Sequence, residues 1–164
     1  MTTWSTRSPE ERALLNPGFC SLVLWSASSA YANGGRNSMP FDVAFLVLPL
    51  VLHKEVRDSL PRTVATSVPV WLAENPHARV RVPSLAKTLL PFTREALVFG
   101  GVNHLFDLSG GVVRAFNDRR RVVAAAGESS PEVRTCVSRA SLVGKWLGAA
   151  GSPETVMALF GVRP

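Results

Sequence analysis

Chemistry-bearing side chains are scarce in this chain of 164 residues, which has two cysteines, three histidines and 12 Asp plus Glu. Each scarcity excludes something. Cys20 and Cys136 stand in two different apolar helical patterns, and the opening Met1-Thr2-Thr3-Trp4-Ser5 shows no basic region followed by a hydrophobic core. They therefore read as reduced, buried thiols of a cytoplasmic protein and not as a disulfide. His53, His77 and His104 lie far apart, and none has a Cys, His or carboxylate at metal-ligand spacing, so a metal site has no ligand set. Gly34-Gly35, Gly100-Gly101 and Gly110-Gly111 lack the Lys-Ser/Thr or three-glycine spacing that cradles a phosphate. Neither Gly-x-Ser-x-Gly nor HExxH occurs, and nothing in the spacing of Asp42, Asp58, Asp107 and Asp118 pairs them as acid and base. The expectation is a non-enzyme without metal or cofactor.

What the chain does have is grease and positive charge. Hydrophobic residues make up 46% and the mean hydropathy is +0.16, which points to a surface covered by partners. The greasiest stretch is FDVAFLVLPLVL, Phe41 to Leu52, where Asp42 is the only polar side chain. A membrane span needs about 20 apolar residues; this run is shorter and holds Asp42 and Pro49. A strand pair interrupted at Pro49 suits Val43, Phe45, Val47 and Val51. A buried helix kinked at Pro49, with Pro40 in its first turn, fits better. A continuation through His53-Lys54-Glu55-Val56-Arg57-Asp58 would carry Lys54, Arg57 and Asp58 on its wet face.

The remaining order is mainly helical. Ser8-Pro9-Glu10-Glu11 has the form of a capping box, and Asn16-Pro17 starts a helix with Phe19, Leu22, Val23, Ser26, Ala27 and Ala30 on one stripe. The small residues from Ser26 to Ala30 would let another element, the Phe41 run for choice, come close. Val70 to Asn75 reads as a short helix. Ser84 to Leu90 reads as a helix, Leu90-Pro91-Phe92 as a turn, and Thr93 as the cap of a second helix to about Asn103, at a penalty of about 1 kcal/mol each for Gly100 and Gly101. Leu105–Leu108 and Val112–Ala115 around Ser109-Gly110-Gly111 form a β-hairpin signal. Ser130-Pro131-Glu132 and Ser152-Pro153-Glu154 each start a further helix. The expected fold is an α+β, mainly helical single domain over 1–164. It divides into a helical core part at 16–76, a winged-helix-like unit at 79–116, a basic linker at 117–130 and C-terminal helices at 131–164.

The net charge is +6, which favours an acidic partner, nucleic acid or protein. Arg94, Arg114, Arg119, Arg120 and Arg121 would form a basic face around the winged-helix-like unit, and DNA binding there would place the helix after Thr93 in the major groove. That helix offers Ala96, Leu97, Val98 and Phe99 where base readout needs polar groups. His53, Lys54 and Arg57 at the end of the greasy run read as a solvated helix end, with Glu55 and Asp58 pairing locally, or, more sharply, as a docking edge for a larger partner protein.

Four segments carry a resemblance. Asn16-Pro17-Gly18-Phe19-Cys20, Phe45 to Lys54 with Arg57 and Leu60-Pro61, Pro91 to Leu97, and Ala158 to Pro164 with its closing GVRP resemble the middle component of bacterial three-component ABC systems, the third of its subfamilies. The resemblance implies two companions encoded alongside: an ABC ATPase related to the chromosome-maintenance and repair type, and a larger effector protein. It implies a linking role between them in defence against phages or plasmids. It carries no catalytic residue over. His53, Lys54, Arg57, Arg94 and Arg163 transfer only as structural or contact positions. The resulting expectation is a non-enzymatic, cytoplasmic adaptor, with a winged-helix DNA-binding protein as the alternative.

Overall fold

The computed structural model describes Ser8 and residues 15–33, 38–116 and 130–162. Helix α1 (Pro17–Asn33) begins at the Asn16-Pro17 signal. The Asn16 side-chain oxygen accepts from the Gly18 N–H at 2.8 Å, satisfying one of the donors a helix start leaves open. The helix is buried on more than the expected single stripe, because Ser21, Ser26 and Ser28 are buried with Cys20, Val23, Leu24 and Ala27. Each serine hydroxyl donates to a carbonyl of a different element: Ala96 at 2.7 Å, Val137 at 2.8 Å and Val113 at 2.7 Å. Hydroxyls let a helix be surrounded without leaving buried polar atoms unpaired.

After the two-residue strand β1 (Met39–Pro40), the greasy run forms helix α2 (Phe41–Leu52) with Pro49 inside it. The helix reading of this run holds. Leu46, Val47, Leu48, Leu50 and Val51 are all fully buried, each worth roughly 1.5–3 kcal/mol of transfer free energy. Helix α3 (Lys54–Ser59) follows after His53, whose ψ of 112° breaks the helical path. Helix α4 (Val68–Glu74) and helix α5 (Pro76–Val102) come next, separated by Asn75.

Helix α5 corrects the expected helix-turn-helix. It runs unbroken for 27 residues with Pro83 and Pro91 inside, so Leu90-Pro91-Phe92 is no turn. The reason is the inner face. Ala78, Val82, Ala86, Leu89, Thr93, Ala96 and Leu97 are all buried at helical spacing, and burying that stripe outweighs the hydrogen bond each proline removes. Pro91 sits on the exposed side, where water can satisfy the carbonyl it leaves open. Thr93 caps nothing; its buried hydroxyl donates back to the Leu89 carbonyl at 3.0 Å. Of the winged-helix-like unit only the hairpin stands as expected. Strands β2 (Phe106–Asp107) and β3 (Val112–Ala115) pair antiparallel, Phe106 opposite Ala115 and Asp107 opposite Arg114. β1 adds to the other side of β3, giving the order β1-β3-β2.

Gly100 is placed for that hairpin. A Cβ there would lie 2.2 Å from the Phe106 ring, so the missing side chain admits Phe106 into the core. The main close approach of α1 is not to the greasy run, as expected, but to helix α6 (Pro131–Ala149), where a Cβ on Gly144 would fall 2.0 Å from the Ala27 carbonyl oxygen. Helix α7 (Pro153–Phe160) closes the described chain. Ser130 and Ser152 cap α6 and α7 by accepting from the Val133 and Thr155 amides, as their Ser-Pro-Glu starts imply. Trp71 and Trp146 meet edge to face at 5.3 Å, with Phe160 6.4 Å from Trp71, tying α4, α6 and α7 together. Cys20 and Cys136 are buried thiols that form no disulfide. Among the described residues no helix is long and apolar enough to cross a membrane.

Candidate protein-contact surfaces

The charged corner at His53–Asp58 divides its cations between the inside and the outside. Lys54 stays in water and reaches Asp58 at 2.5 Å, and that contact holds the Asp58 carboxyl below the ordinary carboxylate range. Arg57 does the opposite of what the sequence reading expected. It is 3% exposed. The bend at His53 starts a new helix, and its short register turns position 57 towards α6 rather than to the wet face. One guanidinium nitrogen donates to the Val51 carbonyl at 3.0 Å and to the Cys136 sulfur at 3.2 Å, and the other pairs with Glu132. The Val51 carbonyl is among those that the end of α2 leaves without a helical donor. Arg57 is therefore a side-chain cap that also pins α2 to the first turn of α6. Burial pushes the Cys136 thiol up, against the pull of the Arg57 charge.

His53 lies beside this pin. Its Nε2 is 3.5 Å from an Arg81 nitrogen, and Arg81 also faces Glu55 at 3.8 Å. The corner borders an open concavity of about 680 Å³ whose charged lining is Glu55, Glu74 and Arg81. Two carboxylates against one guanidinium make it formally acidic.

A second concavity, of about 510 Å³, opens where α2, the middle of α5 and the end of α7 meet. Its floor is apolar, from Phe45, Leu90, Met157 and Val162, and its charged lining is Asp42, Lys87 and Arg94. Lys87 and Arg94 stand two turns apart on one face of α5, which places them about 10 Å apart along the axis. Both are exposed. The unbroken helix puts them in line; a turn at Pro91 would have parted them.

Arg94 and Arg114, both expected on a basic face, end apart in role. Arg114 pairs with Asp107 at 3.0 Å within the hairpin, and the Ser109 hydroxyl and amide hold the Asp107 carboxyl below the ordinary range. Arg119, Arg120, Arg121 and Arg163 lie outside the described residues. Among the described residues no group of three or more His, Cys, Asp or Glu is placed to hold a metal. Sequence reading passed over Lys87, and over Glu132 and Cys136 as partners of Arg57. Glu132 carried a signal in the Ser130-Pro131-Glu132 start, and Lys87 had one only for a reader who carried the helix through Pro91.

Segments far apart in sequence thus converge on one groove: Phe45, Leu90 and Arg94, and Val162. A family model matches residues 4–164, with the description ABC-three component (ABC-3C) system Middle Component 3. The chain belongs to this family. It is accordingly a middle component of an ABC-3C system, and membership implies an ABC ATPase and other components encoded with it. No curated protein and no solved structure matches the chain.

Proposed function

We propose that this middle component is a non-enzymatic adaptor that couples the ABC ATPase to the effector protein of its system, in cytoplasmic defence against phages or plasmids. One observation carries the reading. Helix α5 presents two open concavities of opposite formal charge at two stretches of its length, Arg81 in the acidic one and Lys87 with Arg94 in the basic one. A subunit that joins two different partners needs two surfaces that cannot be confused, and opposite charge separates partners through repulsion as well as attraction.

Co-expression with the two companion components tests it. The three should co-purify at about 0.5 M salt, where phosphate contacts have largely dissolved, and Glu55→Lys with Glu74→Lys should release one component while the other stays. A folded wild-type chain that co-purifies with neither sinks the adaptor. The DNA-binding alternative loses its geometric argument with the turn at Pro91, since a helix-turn-helix needs two helices at an angle.

A further inference from the structure

The groove between α2, α5 and α7 has a chemistry that selects its occupant. Lys87 and Arg94 are exposed, and neither takes part in an ion pair or hydrogen bond among the described residues. Several cations elsewhere are held by the chain's own carboxylates: Arg57 by Glu132, Lys54 by Asp58, Arg114 by Asp107. Between the two free cations the floor is greasy, with Phe45, Leu90 and Val162 half-buried and Met157 5% exposed. A nucleic-acid backbone would use the cations and leave this floor wet. A purely apolar segment would fill the floor and strand the cations beside it.

We propose that the groove docks an acidic amphipathic helix from one of the two companion components, with apolar side chains on the Phe45–Leu90–Met157 floor and two carboxylates facing Lys87 and Arg94. This rests on the adaptor reading and deepens it by naming the partner's chemistry. Lys87 and Arg94 are seven residues apart on α5, so the matching carboxylates stand about two turns apart on the docked helix. Asp42 borders the same groove and disfavours a third carboxylate near the start of α2. The acidic concavity around Glu55 and Glu74 repels the same helix, so each partner is confined to its own side.

The test uses the full-length chain co-expressed with both companion components. In Lys87→Glu with Arg94→Glu, one component should be lost from the purified complex, or bind at least about tenfold more weakly in low salt, while the other stays. A photo-cross-linking residue in place of Leu90 should capture that same component, and the captured peptide should carry carboxylates i, i+7 beside apolar residues. Reversing those two carboxylates to lysine should restore binding to the Lys87→Glu, Arg94→Glu chain. The same thermal midpoint in variant and parent shows that binding, not folding, changed. Assembly unaffected by the double reversal overturns the groove's occupant and leaves the adaptor standing. Capture of a second copy of this chain, of nucleic acid, or of a segment without carboxylates overturns it equally. A wild-type chain that binds neither component overturns both readings.

Discussion

The cations of the His53–Asp58 corner and those of the α5 groove have the same formal charge and opposite employment. At the corner Arg57 is taken into the fold, where it caps α2 and pairs with Glu132, and Lys54 pairs with Asp58. In the groove Lys87 and Arg94 have no such carboxylate among the described residues and face outward beside apolar floor. The difference teaches that charge density in the sequence does not locate a contact surface. HKEVRD is the denser cluster, yet its most distinctive residue serves the interior, because a helix end left carbonyls that needed a donor. The sparser pair, separated by seven residues, is left for a partner.

That contrast breaks most readily at Arg57. Arg57→Ala leaves the Val51 carbonyl and a side-chain-sized void buried, and should lower stability by about 2–4 kcal/mol, read as an earlier urea midpoint at unchanged slope. Lys87→Glu with Arg94→Glu should move that midpoint by no more than about 0.5 kcal/mol. Equal losses in the two variants would erase the distinction. The pH dependence should show the same pin. Burial holds the Cys136 thiol above its ordinary value of 9.0, so above that pH the unfolded chain releases a proton that the folded chain keeps. Stability should therefore fall as pH climbs past 9, and Cys136→Ala should flatten that limb of a pH series of melting curves. Glu132→Ala leaves the buried Arg57 guanidinium with only the Val51 carbonyl and the Cys136 sulfur, and should cost about 1–3 kcal/mol, less than Arg57→Ala because no void is opened. Lys54→Ala should leave the melting curve unchanged within error, since an exposed i, i+4 pair is screened by solvent; a clear loss would place Lys54 with Arg57 on the structural side.

Much of the fold was legible. Asn16-Pro17, Ser130-Pro131-Glu132 and Ser152-Pro153-Glu154 mark helix starts by chemistry that acts within one turn, and all three appear where expected. The Ser109-Gly110-Gly111 hairpin is equally local. The buried helix at Phe41–Leu52 followed from its length and apolar run. The errors fall where a distant element decides. Pro91 looked like a turn because a proline removes a helical hydrogen bond, but a stripe from Ala78 to Leu97 is held against α1 and α2 and keeps the helix whole. Arg57 looked wet because one continuous helix was assumed where His53 makes two.

By itself, then, the sequence determined the helix starts at Asn16, Ser130 and Ser152, the hairpin, the greasy helix and the family, since each depends on neighbours within a few residues or on matched segments read in line. Only the tertiary structure decided that α1 is surrounded, with Ser21, Ser26 and Ser28 each donating to a different element. It alone decided that Arg57 faces Glu132 and Cys136 from 75 and 79 residues away, and that Lys87 and Arg94 share one groove. The physical reason is common to all three: a side chain's partner is fixed by which helix packs beside it, and that is settled by the burial of whole faces, not by the residues adjacent in the chain.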